Sequence, residues 1–505
     1  MYDDNHLAAR LARAAGAAPE ALFLEDMQGR RLSHGALWQA AERMAAALVR
    51  AGVTPGDRVA VQAEKSVEML ELYLGALLAG AVFLPLNPAY TPAEVGYFLG
   101  DAEPRVFVCD PARLSGLQPV ARAAGVGQVL TLDAAGAGSL ADAANAEAPG
   151  FAAVPRGAED LAAILYTSGT TGRSKGAMLS HRALASNSDV LREIWRFDAR
   201  DVLIHALPIY HTHGLFVATN ITLMAGGACL FMPKFDPAQV VALMPRASAL
   251  MGVPTFYTRL LQQPGLGQAA RGMRLFVSGS APLLAETHRD WFATTGHHIL
   301  ERYGMTETNM NTSNPHDGER RPGTVGFPLP GVEVKVCDAQ GQELPQGEIG
   351  TLEVRGPNLF SGYWRMPEKT AEEMRENGFF ITGDLGMVDS DGYFIIVGRG
   401  KDLIISGGLN IYPKEVEEAI DALPGVLESA VIGVPHADLG EGVVAVVVAR
   451  EGASLSEAGI LAGLQDRLAR FKQPRRVVLA PELPRNAMGK VQKNLLRKTY
   501  AGLLA

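Results

Sequence analysis

Up to about residue 322, the chain alternates short apolar runs with longer amphipathic stretches. The short runs are apolar throughout, which is typical of strands covered on both faces. Helices are predicted at 35–51 and 67–79, and a third begins after Thr91, with Pro92 as its first residue and Glu94 completing a capping box. The predicted strands start at Val59, Val82, Val106, Ile164, Val202, Cys229, Ala249, Leu275 and Ile299. This alternation predicts α/β layers.

The pattern changes after about Pro322. Alternating or short apolar runs at 332–336, 349–355 and 394–397 predict a smaller β-rich subdomain. A compact α+β pattern then begins at Gly400, with predicted helices at 413–422 and 456–471 and predicted strands at 430–434, 443–449 and 477–480. We therefore predict a large N-terminal domain over 1–399 and a small α+β C-terminal domain over 400–505. The Ala/Gly-rich segment 133–150 is predicted to be a surface connection.

Composition and charge narrow the function. Hydrophobic residues make up 48% of the 505, and the formal net charge is −8. Without a long basic run, the chain is not expected to bind nucleic acid, although local amides and lysines can still hold an anion. No run of about 18 apolar residues occurs, so no membrane span is expected. The start of the chain also lacks the basic and apolar regions of a signal peptide.

The cysteines bear on the cellular compartment. Cys109, Cys229 and Cys337 are odd in number, far apart and form no CxxC pair. A disulfide framework or a zinc site is therefore not expected, and a reducing cytoplasm fits.

A glycine-rich loop with a lysine follows the predicted strand 161–165. Its sequence, Tyr166-Thr-Ser-Gly-Thr-Thr-Gly-Arg-Ser-Lys-Gly176, combines backbone amides, hydroxyls and a cation, which together suit a triphosphate. The candidate phosphate-binding residues are Thr167, Ser168, Gly169, Thr170, Thr171, Gly172 and Lys175. Since Gly176 follows Lys175, the loop is not a Walker A motif. On composition alone, a flexible loop remains an alternative.

Five further motifs follow in order. They are Gly279-Ser-Ala-Pro282, Tyr303-Gly-Met-Thr-Glu307, Thr382-Gly-Asp384, Gly398-Arg-Gly-Lys-Asp402 and Pro484-Arg-Asn-Ala-Met-Gly-Lys490. With the loop, they resemble the adenylate-forming superfamily of acyl-CoA synthetases, adenylation domains and luciferases over nearly the whole chain. The resemblance implies a two-step reaction that uses ATP, Mg²⁺ and CoA, and a C-terminal domain that is mobile between the steps. A hydrolase is disfavoured, because no nucleophile-elbow motif is present.

The resemblance also implies roles for single residues. Lys490 is implied to contact the carboxylate and the α-phosphate, Thr306 to contact the α-phosphate, and Glu307 to bind Mg²⁺. A solvated surface lysine is the alternative for Lys490, since most lysines are exposed, but the Gly489-Lys490 context favours catalysis. The implied nucleotide contacts are Tyr303 on adenine, a pocket shaped by Gly279, Ser280 and Ala281, Asp384 on the ribose hydroxyls and Arg399 nearby. The implied hinge is Lys401, and Ser406, Gly407 and Gly408 are implied to meet the pantetheine arm of CoA.

The substrate pocket is expected to be polar. The stretches 207–216, 253–259 and 301–311 resemble the malonyl-CoA synthetase group of the superfamily, whose members act on malonate and often on methylmalonate. An arginine in the pocket can pair bidentately with a second carboxylate, and monocarboxylates would leave it unpaired. We predict Arg259 as this anchor and Arg289 as the alternative. The other predicted pocket residues are His211, Thr212 and Met310, whereas His213 is expected to have no catalytic part.

Two other functions stay open from the sequence. One is an acyl-CoA synthetase for a different short or aromatic acid. The other is an adenylate-binding protein that has lost catalysis, although Lys175, Glu307, Asp384, Arg399 and Lys490 are all retained. The sequence leaves the oligomeric state and the tolerance for methylmalonate open.

Overall fold

The computed structural model describes residues 2–167, 174–407, 409–465, 467–486 and 489–504. The strands of the first 180 residues are β1 (Leu22–Asp26), β2 (Arg31–Ser33), β3 (Arg58–Gln62), β4 (Val82–Pro85), β5 (Val106–Cys109), β6 (Gln128–Thr131), β7 (Leu161–Thr167) and β8 (Lys175–Ser180). Their helices are α1 (His6–Leu11), α2 (Arg13–Ala17), α3 (His34–Arg50), α4 (Val67–Leu78), α5 (Pro92–Ala102), α6 (Leu114–Ala123) and α7 (Ser139–Asn145). A six-stranded sheet has the order β6-β5-β3-β4-β7-β8, parallel except for the β7–β8 hairpin.

A second large sheet has nine strands. Its further strands are β9 (Val202–His205), β10 (Ala228–Phe231), β11 (Ala249–Gly252), β12 (Leu275–Ser278), β13 (Leu300–Met305), β14 (Asn309–Ser313) and β15 (Phe327–Pro328). The helices of this part are α8 (His181–Ile194), a π-helix (His213–Thr219), α9 (Asn220–Ala225), α10 (Pro237–Leu243), α11 (Pro254–Leu260), α12 (Leu266–Ala269) and α13 (Ala285–Thr295). The strand order is β15-β14-β13-β12-β11-β9-β10-β1-β2. The parallel strands β10, β11 and β12 are buried at every position, as their unbroken apolar sequences predict.

Two smaller sheets complete the fold. The antiparallel four-stranded sheet holds β16 (Glu333–Cys337), β17 (Gly350–Arg355), β18 (Phe380–Val388) and β19 (Phe394–Arg399), with α14 (Pro367–Glu372) before β18. The C-terminal sheet holds β20 (Ile404–Ser406), β21 (Leu409–Ile411), β22 (Val426–His436), β23 (Gly440–Ala449) and β24 (Arg476–Ala480). Its helices are α15 (Pro413–Asp421), α16 (Glu457–Leu464) and α17 (Lys493–Tyr500). This architecture confirms the predicted fold class, with its α/β layers, β-rich subdomain and small α+β C-terminal part.

One local prediction is confirmed and two are wrong. Thr91 and Glu94 form the predicted capping box at the start of α5. The segment 133–150 is more than a surface connection, because it contains α7, which buries Leu140 and Ala144. The helix predicted at 456–471 ends at Leu464. Beyond it, the side-chain amide of Gln473 donates to the carbonyl of Leu468 at 2.8 Å, which satisfies a backbone group without further helix.

Two features bear on the cellular setting. Cys109, Cys229 and Cys337 are all free and buried. In the described part of the chain, no helix has both the length and the apolar character that crossing a bilayer requires.

Candidate active site

A tight C-terminal hairpin holds Lys490 against the N-terminal part of the chain. The backbone N–H of Lys490 donates to the side-chain oxygen of Asn486 at 3.0 Å, and the N–H of Asn486 donates back to the carbonyl of Lys490 at 2.9 Å. Gly489 has a φ of +73°, which glycine adopts without strain. A Cβ at Gly489 would lie 3.3 Å from the hydroxyl of Thr255 on α11. The hairpin therefore packs on the start of that helix.

The ammonium of Lys490 lies among charges from distant parts of the sequence. Lys490 is exposed to solvent, and the charges of Arg399, Asp384, Glu307 and Arg302 act on its ammonium. Burial and the positive charge of Arg399 lower its pKa below the usual value, whereas the charges of Asp384 and Glu307 act in the opposite direction. Lys490, Arg399, Asp384 and Glu307 come from four of the predicted motifs. Their charges therefore meet in one crevice.

A carboxylate on β18 forms the centre of the predicted nucleotide site. Asp384 is buried and lies opposite Arg399 on β19. The Arg399 Nε is 2.6 Å from Asp384 Oδ1, and the Tyr303 hydroxyl donates to Asp384 Oδ2 at 2.6 Å. The Asp384 charge raises the pKa of Arg399, while burial and then Asp384 raise the pKa of Tyr303. The structure therefore brings these three predicted nucleotide residues together.

Glu307 is a buried carboxylate beside the flank of the glycine-rich loop. The hydroxyl of Thr167 lies 3.4 Å from Glu307 Oε1, and the hydroxyl of Tyr363 donates to the same oxygen at 3.1 Å. Burial raises the pKa of Glu307. One carboxylate with hydroxyl neighbours suits Mg²⁺, which takes oxygen ligands and keeps phosphates and water among them. Within the described residues, no cluster of three or more His, Cys, Asp or Glu side chains forms a closed metal site.

Thr306 precedes Glu307 in the turn between β13 and β14. It lines a small cleft with Tyr166, Tyr210 and His211. Thr306 is half-buried. The predicted α-phosphate contact and the predicted substrate contact His211 are therefore neighbours, which fits a position between nucleotide and acid.

A buried arginine that the motif analysis missed lies beneath the Gly279 loop. Arg302 is 3% exposed, and its Nε and Nη2 atoms have no hydrogen-bond partner among the described residues. Burial lowers the pKa of its guanidinium to about 9. Buried donors without partners are costly, so Arg302 is suited to an anionic ligand. The only sequence signal was its position in the stretch 301–311, one residue before the Tyr303 motif.

Close contact with Arg302 explains the glycine at position 279. A Cβ there would lie 2.4 Å from the Arg302 Cζ. Gly279→Ala is therefore expected to displace the guanidinium and to lower kcat/KM for the acid at least tenfold, since each 1.4 kcal/mol of lost transition-state binding is a factor of ten. Steady-state release of AMP, the product that the superfamily resemblance implies, measures this effect. Gly272→Ala, in open surroundings, is the control, and equal activity of both variants would contradict the assigned contact.

The π-helix places His213 beside this loop, and His211 lies two residues before the helix begins. His213 is buried, and its Nδ1 lies 3.3 Å from the hydroxyl of Ser280, which has a φ of +70°. Burial and the charge of Arg302 lower the pKa of His213 well below its usual value. Burial and then Lys490 lower the pKa of His211 to about 3. Both imidazoles are therefore neutral at physiological pH and can serve as hydrogen-bonding groups.

The remaining predicted pocket residues occupy different surroundings. Thr212 and Met310 are buried, and the Thr212 hydroxyl has no hydrogen-bond partner among the described residues. Arg259 is exposed in the last turn of α11, and Arg289 is exposed on α13. Ala281 is half-buried next to Ser280. The roles of these residues in substrate binding stay predictions.

The predicted hinge and CoA residues lie on the C-terminal side. Lys401 is exposed in a 3₁₀ turn (Gly400–Asp402) between β19 and β20, where Arg497 bonds Asp402 at 2.9 Å. Ser406 and Gly407 belong to the β20–β21 hairpin, where Ser406 pairs with Gly440. Six predicted residues lie outside the described part of the chain: Ser168, Gly169, Thr170, Thr171, Gly172 and Gly408.

Comparison with known proteins identifies the class. Residues 11–364 match the AMP-binding enzyme family, and residues 415–490 match the AMP-binding enzyme C-terminal domain. The chain belongs to the AMP-binding enzyme family. This assignment confirms the superfamily resemblance that the six motifs predicted.

Two curated relatives differ in the acid that they are named for. A malonate–CoA ligase from Arabidopsis thaliana is 35% identical over 481 residues, with 89% of this chain and 79% of the relative covered. A sulfoacetate–CoA ligase from Cupriavidus necator is 36% identical over 493 residues, with 96% of each chain covered. Both names describe CoA ligases of small acids with a second anionic group.

One solved protein matches almost completely. ATP-bound MatB from Rhodopseudomonas palustris is 60% identical, with 99% of this chain and all 100% of that chain covered, and superposes with a TM-score of 0.96. The apo form of the same protein, at the same identity and coverage, gives a TM-score of 0.85. The overall arrangement of this chain is thus nearer to the ATP-bound form.

Proposed function

We propose that the chain ligates malonate to CoA in an ATP-dependent, AMP-forming reaction. The observation that carries this proposal is the contact of Asp384 with Arg399 and Tyr303 in the crevice where the charges of Asp384, Glu307 and Arg302 also act on Lys490. The family assignment supports the adenylate chemistry. The malonate–CoA ligase among the relatives supports the acid, and Arg302 supplies a physical reason for it.

The first step is adenylation of the acid. A malonate carboxylate oxygen attacks the α-phosphorus of ATP, the bond to the β-phosphate oxygen breaks, and pyrophosphate leaves. Lys490 neutralises the charge that develops between the carboxylate and the α-phosphate, and Thr306 is expected to donate to the same phosphate. Lys175 and the glycine-rich loop hold the other phosphates. Mg²⁺, when bound with ATP, supplies charge neutralisation, and Glu307 would hold it with phosphate oxygens.

The nucleoside is held on the other side of the crevice. Asp384 is expected to accept hydrogen bonds from the ribose hydroxyls. Arg399 contacts one oxygen of this carboxylate and Tyr303 the other, which fixes its orientation. Tyr303 is also the expected stacking partner of adenine. Gly279, Ser280 and Ala281 shape that pocket.

The second carboxylate of malonate selects the substrate. Two donor nitrogens of Arg302, Nε and Nη2, have no partner among the described residues, and a carboxylate can accept from both. A monocarboxylate would leave them unsatisfied, which disfavours acetate. Arg259 and Arg289 remain the candidates from the sequence. Thr212 and Met310 are expected to limit the substituent at the α-carbon and so to decide the tolerance for methylmalonate.

The second step transfers the acyl group. The CoA thiolate attacks the adenylate carbonyl carbon, the bond to the AMP oxygen breaks, and malonyl-CoA forms. The C-terminal domain, 400–505, is proposed to rotate about Lys401 so that Ser406, Gly407 and Gly408 meet the pantetheine arm. Separate cores support the boundary with domain 1–399, because no described buried cluster contains residues from both sides of it.

We place this reaction in the cytoplasm. Three free, buried cysteines suit a reducing compartment. The proposed partners are malonate, ATP and CoA, with no nucleic acid, and the oligomeric state is left open.

A panel of acids tests the substrate. AMP release with CoA is expected to be fastest with malonate among malonate, methylmalonate, succinate, sulfoacetate, acetate and benzoate, because malonate combines the one-carbon spacer and a second carboxylate with an unsubstituted α-carbon. A faster rate with sulfoacetate would support a pocket that selects a second anionic group, but the assigned acid would then be sulfoacetate. A faster rate with acetate or benzoate would reject the second-carboxylate hypothesis and keep the synthetase class.

Pyrophosphate exchange distinguishes catalysis from binding alone. A malonate-dependent exchange of labelled pyrophosphate into ATP, without CoA, is expected from the first step. ATP binding without exchange for any acid of the panel would instead favour the non-catalytic adenylate-binding protein.

A further inference from the structure

The lysine that follows the glycine-rich loop already has an anionic partner. Lys175 is 8% exposed, and its Nζ lies 3.0 Å and 3.3 Å from the two carboxylate oxygens of Glu373. The same ammonium lies 3.9 Å from the ring centroid of Tyr363. The Tyr363 hydroxyl donates to Glu373 Oε2 at 2.6 Å and also contacts Glu307. The carboxylate of Glu373 therefore already pairs with the lysine that is predicted to bind phosphate.

The chain holds this contact by pairing distant segments. Residues 361–364 run beside β8, with hydrogen bonds from Ser361 to Met178 and from Trp364 to Gly176. The N–H of Tyr363 donates to the hydroxyl of Thr370 at 2.9 Å, which fixes the entry to α14. Glu373 directly follows α14, so the helix directs it back toward Lys175. Such a supported contact is more than a chance surface pair.

We propose that Glu373 is a displaceable counter-ion. It pairs with Lys175 when no phosphate is bound, and the phosphates of the nucleotide replace it at Lys175 when the nucleotide binds. This inference rests on the proposed phosphate role of Lys175. A buried ammonium without a partner is costly, so Glu373 stabilises the phosphate-free site. When a triphosphate binds, its oxyanion takes over the ammonium.

Glu373 has the surroundings that such an exchange requires. Its side chain is 21% exposed, so solvent can reach it, and Lys369 lies 3.1 Å away as a second cation. The hydroxyl of Tyr363 remains a further donor. The released carboxylate is therefore never left alone in an apolar environment. When pyrophosphate leaves, the pair with Lys175 reforms, which favours release of this product.

The proposal predicts that removing the counter-ion tightens phosphate binding. In Glu373→Gln, the dissociation constants of Mg-ATP and of pyrophosphate are expected to fall about tenfold, the equivalent of one hydrogen bond to a charged group. Isothermal titration without acid or CoA measures both. The ligand-free variant is expected to melt at a lower temperature than the wild type, and Mg-ATP is expected to raise that temperature by more.

The neighbouring glutamate provides a matched control. Glu372 is mostly exposed and pairs with Lys369 at 2.9 Å, and Lys175 is not among its described partners. Glu372→Gln is expected to leave the affinity for Mg-ATP unchanged. If Glu373→Gln does not fold, Glu373→Asp keeps the charge but withdraws it from Lys175, and is expected to tighten binding in the same direction.

Weaker or unchanged binding of Mg-ATP by the folded Glu373 variant would overturn the proposal. Weaker binding would make Glu373 a positioning residue that stays paired in the nucleotide complex. Lys175→Ala separates this failure from that of the underlying site, since unchanged ATP affinity in that variant would reject the phosphate role of Lys175 itself. A wrong choice of acid would leave every one of these titrations unaffected.

Discussion

Lys490→Ala is expected to slow malonate-dependent ATP–pyrophosphate exchange by about 10²–10³-fold, the effect of removing one positioned charge from a developing oxyanion. The Gly489 turn packs on α11 and brings this ammonium into the crevice that holds Glu307 and Asp384. Conversion of supplied malonyl-adenylate to malonyl-CoA is expected to be largely spared, because the C-terminal domain is proposed to have rotated by then.

The comparison of the two half-reactions decides the role of Lys490. Lys498→Ala removes an exposed lysine from the last turn of α17 and is expected to leave both rates unchanged. Equal loss of both half-reactions in Lys490→Ala would refute an adenylation-specific role. Unchanged exchange would remove Lys490 from the mechanism.

Arg302→Met is expected to lower kcat/KM for malonate by about 10²-fold or more, the scale on which a site that bonds a polar group discriminates. Methionine keeps much of the side-chain volume but removes the charge and the two donor nitrogens that have no partner among the described residues. The rate with acetate is expected to be unchanged or higher. Because a buried charge with unsatisfied donors is costly, the melting temperature is expected to stay level or to rise.

Arg259 and Arg289, the two arginines predicted from the sequence, are tested alongside Arg302. Arg259→Leu and Arg289→Leu change exposed residues on α11 and α13, and AMP release with malonate and acetate measures both. Loss of malonate activity in Arg259→Leu alone would assign the distal carboxylate to α11. Loss in Arg302→Met alone would assign it to β13, and loss in both would indicate a shared clamp. Equal loss with acetate would contradict a role in selectivity.

The sequence by itself determined the elements and the class of this protein. Unbroken apolar runs became the buried strands β10, β11 and β12, because a strand covered on both faces needs apolar residues at successive positions. The capping box at Thr91 formed because its hydrogen bonds join residues only three apart. The six motifs and their order were sufficient to identify the family, because each motif contains its chemically active residues within a few neighbouring positions.

Only the tertiary structure decided the contacts that give these motifs their surroundings. The contact between Gly279 and Arg302 depends on how β12 and β13 pack, and composition gave no sign that this arginine would be buried. The pair between Lys175 and Glu373 joins residues 198 positions apart. Burial and partners of a charged side chain depend on such distant segments, whereas local patterns report only on the neighbours along the chain.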